Sequence, residues 1–515
     1  MATPGGPAYV GLDLGTSGLK GVAVDEGGRS VAWSRAQYPT ARDLPGAAEQ
    51  QSDDWLGAVM SVVAELGQLV PPERWRGIGL SGMIPTLVLL DREDRPLVPA
   101  ITWEDRRAEH EGARLAGRVG ARRLYELTGQ RVDGRYLVPM VERALRVQPE
   151  LAGGLGRVVG AKDYIFGWLT GEWLTDPSTA TGYGCYGLDG EEWLDEIVAA
   201  TDLPPGARRW LPEIAPSSTA RTIRLDVAAL LGVPAGLPVY LGGADSVLAL
   251  LGLGVSRPGD VAYVSGTSTV VLAASSEPLR DPAARYLVTP LAASPGWGLE
   301  MDLLSTGSAV GWLADQLGDE CDEESITYLA ASVPFVHAPV FLPHLAPGEQ
   351  GALWDPSLAG ALVGLTLRHS RADIARGLLN GIVVESRRCL AVLDEVFATG
   401  GTVHMSGALA STRAFLADLA DASSRTVIAA TDSAAGYSAR GAASLVALAL
   451  DGSSLPAGSG PPPVVVLPSA ERYEKWSIVG ERHDRVRVAL AHGGPPDDGV
   501  VPRASLARCR GRDDG

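Results

Sequence analysis

Two glycine-turned hairpins, one at the start of the chain and one near its middle, limit the fold more than any other feature. The first reads Gly11-Leu12-Asp13-Leu14-Gly15-Thr16-Ser17 and the second Val264-Ser265-Gly266-Thr267-Ser268-Thr269. Each follows an apolar, strand-like run, Tyr9-Val10 in one case and Val261-Ala262-Tyr263-Val264 in the other. Each turns on glycine beside hydroxyl side chains and returns as another strand-like run. Glycine lets the backbone come close to a ligand and takes turn angles that other residues avoid. The N–H groups and hydroxyls of such a turn then face an anion. Asp13 adds a carboxylate that can hold Mg²⁺, directly or through water, beside phosphate oxygens. Two such hairpins from two domains would close on a nucleotide triphosphate, so a phosphotransferase is the leading reading.

The pattern around the hairpins repeats as well. The opening reads strand, turn, strand, turn, strand: Tyr9–Leu14, Leu19–Val24 and, after the turn Asp25-Glu26-Gly27-Gly28, Ser30–Gln37. Ser52 is placed to cap a helix reaching about Gly67, with Trp55, Val59, Val62, Val63 and Leu66 on one face. Strands are expected at Gly77–Ser81 and Thr86–Leu90. The second half restarts with Val261–Ser265 and Ser268–Ala273. Helices are expected at Ser308–Leu317, Ser370–Val396 and Ser411–Ala422, with a strand at Gly401–Ser406. A duplicated α/β unit follows, with sheets covered by helices. A chain of 515 residues exceeds one ordinary core. We expect one domain over 1–248, a second over 249–451, and a linker, a C-terminal helix and a tail over 452–515. Asp451–Pro463 reads as the linker, Ser469–Leu490 as the helix, and the Gly, Pro, Asp and Arg-rich stretch beyond Gly493 as disordered.

Composition narrows the partners. At 46% hydrophobic and 20% charged residues the chain has the make-up of a soluble globular protein. Its formal net charge of −17 argues against nucleic acid or an acidic membrane surface, which need a basic footprint. An ATP site needs only a local field. Cys185, Cys321, Cys389 and Cys509 form no Cys-x-x-Cys pair, so neither a zinc site nor a disulfide framework is expected, and a cytoplasmic compartment fits. The first residues lack the basic start and apolar run of a signal peptide, and no apolar stretch is long enough to span a bilayer. Gly15–Lys20 lacks Walker A spacing, no dinucleotide-binding glycine fingerprint follows a strand, and no Gly-x-Ser-x-Gly elbow is present.

Ordered blocks carry a resemblance from Tyr9 to Leu450. They are the first hairpin, Pro99-Ala100-Ile101-Thr102-Trp103-Glu104-Asp105-Arg106-Arg107, Lys162-Asp163-Tyr164, Gly242-Gly243-Ala244-Asp245, Arg257-Pro258-Gly259-Asp260, the second hairpin, Phe341-Leu342-Pro343-His344, Trp354-Asp355-Pro356, Gly364-Leu365-Thr366-Leu367-Arg368-His369 and Ser406-Gly407-Ala408. The chain resembles the FGGY family of carbohydrate kinases, most nearly its xylulokinase-like branch. That resemblance implies two ribonuclease-H-like domains, as in actin and the Hsp70 ATPase, with ATP, Mg²⁺ and a small sugar or polyol in the cleft between them. It also makes a homodimer an expectation.

Site roles follow residue by residue from the resemblance. Asp245, after two glycines at a strand end, is the expected general base and touches the substrate. Its alternative is a helix cap. Asp13 would orient the metal. Gly15, Thr16 and Ser17 would meet phosphate, as would Gly266, Thr267 and Ser268. Lys20 reads equally as a phosphate partner or a solvated strand residue. Gly407 and Ala408 would lie under the adenine, in a less glycine-rich edge than the family usually shows, with Asn380 on a nearby helix. Met83, Trp103, Asp105 and Arg106 would face the sugar, the Trp ring against C–H groups and the Asp accepting from hydroxyls. The alternative is a core Trp beside a surface salt bridge. One block departs from the pattern. Where xylulokinases carry Gln-Met-His, this chain has Ser81-Gly82-Met83-Ile84-Pro85-Thr86. Pro85 stands at the His position, so one polar contact is missing or supplied by Thr86. A ketopentose such as xylulose remains the leading acceptor. Glycerol, gluconate, ribulose or a natural-product sugar, or a non-catalytic nucleotide- or sugar-binding protein of the actin/Hsp70 type, remain alternatives.

Overall fold

The computed structural model describes residues 5–492 apart from 294, 319–320, 347–350, 356, 398–399, 431–435, 453–454 and 456–461. Much of the expected linker, the whole of the expected tail and Cys509 lie outside the described residues. Among the described residues Cys185, Cys321 and Cys389 form no disulfide. Among the described residues no helix is long and apolar enough to cross a membrane.

The first hairpin forms because Ala8–Leu14 is buried along its whole length and Gly18–Asp25 returns beside it, antiparallel. A continuous apolar run of this kind belongs at the centre of a sheet covered on both faces. Ser30–Gln37 completes the meander on that side. On the other side Trp75–Gly82 and then Pro238–Ala244 join in parallel, with Ala220–Thr222 antiparallel at the edge. The second sheet repeats this path. Val261–Ser265, Thr269–Ser275 and Trp297–Leu303 form the meander. Val403–Gly407 and Val427–Ala429 add in parallel and Val464–Val466 closes antiparallel, with Leu287–Pro290 as an extra strand beyond the meander. The repeated topology puts the two glycine hairpins at equivalent places in two sheets, as expected for a pair of ribonuclease-H-like units.

Several elements sit slightly off the expected ranges. Ser52 is the first residue of its helix, Ser52–Leu69, and makes no capping bond; Gln51 holds the cap position. Strands run Trp75–Gly82, Leu87–Asp91, Thr269–Ser275 and Val403–Gly407, and helices Gly307–Leu317, Arg371–Asp394, Arg413–Ser423 and Ala470–His492. Ser370 does cap its helix, through a reciprocal pair of bonds with Asp373.

The two units are joined by close helix packing. Helix Ser52–Leu69 covers one face of the first sheet with the expected Trp55, Val59, Val62, Val63 and Leu66. The opposite face is covered by Tyr437–Asp451, a helix from the far end of the chain. It packs also against Asp245–Gly252, so the expected division at 248 falls inside a helix that bridges the units. Small residues make this contact possible. A Cβ on Gly11 would lie 1.8 Å from the Ala439 carbonyl oxygen, and one on Gly441 1.8 Å from that of Leu248. Both obstacles are backbone and cannot rotate away. Gly11→Val is therefore expected to destabilise the protein by about 3 kcal/mol or more, at the upper end of overpacking costs. A calorimetric melting temperature within a degree of wild type would show that this helix is not seated on Gly11.

Candidate active site

Asp245 stands at the junction of strand Pro238–Ala244 and helix Asp245–Gly252. The chain reaches it through a distorted strand end. Gly242 has φ +72°, and a Cβ there would fall 1.6 Å from the Leu80 carbonyl oxygen, so only glycine passes. A buried polar network holds this bend. Lys162 Nζ donates to the Leu241 carbonyl at 3.0 Å and pairs with Asp163 at 2.7 Å and Asp176 at 3.2 Å. The other oxygen of Asp176 accepts from the Ser178 N–H, the Ser178 hydroxyl and the Ser217 hydroxyl. Ser178 Oγ in turn accepts the Ala244 N–H at 2.9 Å. Backbone on both sides of the bend is thus anchored to one ion cluster.

Electrostatics around Asp245 suit a base. Burial, then the nearby Asp13 and Asp302 carboxylates, push it up to about 7, against an opposing hydrogen bond from the Ser246 N–H at 2.9 Å. A carboxylate in that range can take a proton near neutral pH. Asp13 is buried at the end of its strand and accepts from Ser81 Oγ at 2.7 Å. Burial raises it too, opposed by Ser81 and by the charge of Lys20.

A cavity of about 210 Å³ opens in front of Asp245 and takes walls from both halves of the chain. Thr16, Met83, Pro85 and Trp103 face it from one side, and Ser268, Glu300 and Asp302 from the other. Trp103 Nε1 donates to Thr16 Oγ1 at 2.9 Å, which ties the first hairpin to the apolar wall. Glu300 accepts from Ser246 Oγ at 2.9 Å. Burial pushes Glu300 well above the usual carboxylate range, and Asp302 and Asp245 add to the effect.

The hairpin tips carry the remaining phosphate candidates. Gly15 N–H bonds the Gly18 carbonyl and Gly266 N–H the Ser268 carbonyl, which leaves Ser17, Gly266 and Thr267 exposed. Lys20 is exposed, opposite Asp13 in the ladder. Gly407, at φ +94°, ends a strand paired with Val261–Ser265, and a Cβ on it would lie 1.8 Å from the Ser265 carbonyl oxygen. Ser265 Oγ holds the edge by donating to the Ser406 carbonyl and accepting the Leu409 N–H, with Ala408 exposed beside it.

Other candidates are placed elsewhere. Asp105 does not border the cavity. Its carboxylate is held by the Ala48 N–H and by Arg107, which folds back onto it from two residues on. Arg106 pairs with Glu109 and borders a second, larger cavity of about 810 Å³. Thr86 is buried away from the cavity and does not replace the missing polar contact, so Met83-Ile84-Pro85 form an apolar wall. Asn380 turns inward, accepting from Arg376 and donating to the Phe335 carbonyl. The cavity instead gains Gln130, Arg135, Tyr136, Glu300 and Asp302, none of which was expected. For the two acids a signal existed. In Trp297–Leu303 they alternate with buried Leu299, Met301 and Leu303, the period of a strand with one polar face.

Duplicated sheets, each with a glycine hairpin, and a small cavity bordered by Thr16, Ser268 and Asp245 match the sugar kinases of the actin/Hsp70-like fold. The FGGY family of carbohydrate kinases matches with its N-terminal domain over residues 8–252 and its C-terminal domain over 261–450, and the chain belongs to this family. It is 30% identical over 375 residues to the xylulose kinase of Klebsiella pneumoniae, covering 73% of this chain and 76% of that one. It is 26% identical over 412 residues to the gluconokinase of Bacillus subtilis (strain 168), covering 76% and 79%. The crystal structure of a xyloylose kinase from Brucella ovis superimposes with a TM-score of 0.86 at 26% identity, over 94% of this chain and 99% of that one. Kinases of this family take their phosphoryl group from ATP.

Proposed function

We propose that this chain phosphorylates a hydroxyl of a small polyol or ketose, a ketopentose such as xylulose being the leading candidate, with Asp245 as general base. The observation that carries the reading is the position of Asp245: it borders a cavity walled by both halves of the chain and lies within electrostatic reach of Asp13 at the first hairpin. The acceptor lies with its C–H face on Trp103 and the Met83–Pro85 wall. Asp245 accepts the hydroxyl proton as that oxygen bonds the γ-phosphorus; the bond from phosphorus to the β,γ-bridging oxygen breaks, and ADP leaves with that electron pair. The hairpins hold the phosphates through the hydroxyls of Thr16, Ser17, Thr267 and Ser268, with the Gly15 and Gly266 N–H groups bracing the turns from within, and Gly407 and Ala408 form the floor under the base. Lys20 lies at the same edge. Asp13 fits Mg²⁺ chemically, as a hard oxygen donor fixed by Ser81. Among the described residues no three acids, histidines or cysteines converge to hold an ion alone, so most of its ligands would be phosphate and water. When bound, Mg²⁺ neutralises charge on the transferring phosphates.

The test is ADP formation with a panel of pentuloses, hexuloses, pentitols, glycerol and gluconate. Turnover driven by one acceptor class, well above the rate with water, is expected. ATP binding without any acceptor-dependent turnover would overturn the reading in favour of a binding protein. The same assay gives a pH profile. Below about 7 Asp245 keeps its proton and cannot accept another, so kcat/KM is expected to rise tenfold per pH unit up to about 7 and then level. A flat profile between pH 5.5 and 8 would remove Asp245 as the titrating base.

A further inference from the structure

The cavity before Asp245 is lined by more acids than cations. Asp245, Glu300 and Asp302 all border it, and Arg135 is the one cation among its described lining residues. That guanidinium is already engaged, gripping the Asp133 carboxylate through Nε and Nη2 while standing near Asp302. Glu300 is steered toward Asp245 by Ser246, the residue next to the base, which holds Asp245 by its N–H and Glu300 by its hydroxyl. The opposite wall, Met83-Ile84-Pro85, is apolar and offers no side-chain donor.

On the reading that this cavity is the acceptor site, we propose that Glu300 and Asp302 select the acceptor: they take one that donates hydrogen bonds, through hydroxyls or an ammonium group, and they refuse a sugar acid. An acceptor carboxylate has two ways to enter. It can face ionised carboxylates, a like-charge juxtaposition that interfaces use to reject wrong partners. Otherwise protons must cover the charge: burial already favours one on Glu300, which then donates to the acid, but Asp302 and Asp245 still face it, and a proton on Asp245 removes the base. Either way the acid loses in binding or in turnover. Hydroxyls meet no such conflict, because a carboxylate accepts from two donors at once. An ammonium group is attracted by the same charges. Relatives of this chain are named for xylulose and for gluconate, and these two side chains place it away from the second.

The experiment compares a ketopentose or pentitol, an amino-deoxy polyol and the aldonic acid of the same chain length, with wild type, Glu300→Gln, Asp302→Asn and the double variant. Wild type is expected to use the acid at least 100-fold less efficiently than the neutral acceptor, by kcat/KM. The double variant is expected to close that gap by tenfold or more. An amino acceptor that outperforms the neutral one in wild type, and loses that advantage in the double variant, identifies the ammonium as the donor; equal use identifies hydroxyls. A wild-type preference for the acid, or an unchanged gap in a double variant of normal melting temperature, would overturn the proposal. If no acceptor is phosphorylated although ATP binds, the kinase reading fails instead. Calorimetric binding of the same three probes then decides the selection separately: tighter binding of the acid than of the others to wild type would overturn it, and the reverse order, lost in the double variant, would support it. Should the double variant not fold, the two single variants carry the comparison, each closing part of the gap.

Discussion

Asp245→Asn is expected to lower kcat/KM by about 10²- to 10⁴-fold, the range for loss of a positioned general base, without weakening the fold. Asn keeps the shape and can still accept the Ser246 N–H, but it has no basic oxygen for the acceptor's proton. The stability change has a definite sign. The carboxyl sits at about 7 in the folded protein, above its ordinary value of 3.8. The folded state therefore binds this proton more tightly than the unfolded chain, and ionisation works against folding as pH rises from about 4 to 7. Removing the charge is expected to stabilise the ligand-free protein at pH 8 by up to about 4 kcal/mol, less where water in the cavity solvates the group. The gain should vanish near pH 4. Melting temperatures at pH 8 and pH 5 beside the kinetics separate the two effects. An inactive variant that also melts lower than wild type at pH 8 would mean that Asp245 serves the fold rather than the reaction.

Lys162→Met is expected to be the most damaging single change outside the cavity. The ammonium is fully buried between Asp163 and Asp176 and reaches the Leu241 carbonyl. Their charges hold its pKa above the ordinary lysine value despite a larger opposing effect of burial. Met fills most of the volume but leaves two buried carboxylates without their cation. Breaking a buried pair from one side costs about 3–5 kcal/mol. The lysine's own stabilisation is fully present below pH 10.5, but its loss also removes the charge that holds down Asp163, whose carboxyl burial already raises, so the deficit should grow as pH rises from 6 to 9. Function should suffer as well, because the same ammonium anchors the bend that leads to Asp245. A shift of about 1 Å at a reacting group can cost 10²-fold. Measured well below the melting temperature, kcat is expected to fall at least tenfold. Full kcat in a destabilised variant would show that the cluster supports the fold without setting the position of Asp245.

The residues that announced themselves in the amino-acid order are those whose job is local. Gly15 and Gly266 turn hairpins, Asp13 sits at a strand end, and Asp245 follows the glycines that let the chain bend at Leu241–Gly243. Backbone geometry within a few residues demands the glycines, so the duplicated fold could be read directly, while Asp13 and Asp245 were marked by the family resemblance of the blocks that hold them. Strand edges were legible to within about two residues, because buried runs such as Ala8–Leu14 carry their own pattern. What stayed hidden depends on which distant segments meet. Asp105 looks like a sugar ligand beside Trp103, yet Arg107 and the Ala48 amide occupy it. Helix Tyr437–Asp451 belongs to the second unit by its place in the chain but lies on the first sheet, a placement allowed by how near Gly11 and Gly441 let two backbones come. Glu300 and Asp302 alternate correctly for a strand, but nothing in their neighbours says that this face looks at Asp245. The sequence by itself thus determined the paired α/β units and the two glycine hairpins, and marked Asp245 as the acid to test. Only the tertiary structure decided the charge of the cavity before Asp245, because that charge is a sum over Arg135, Asp245, Glu300 and Asp302, brought together from three separate stretches of the chain by sheet pairing and helix packing.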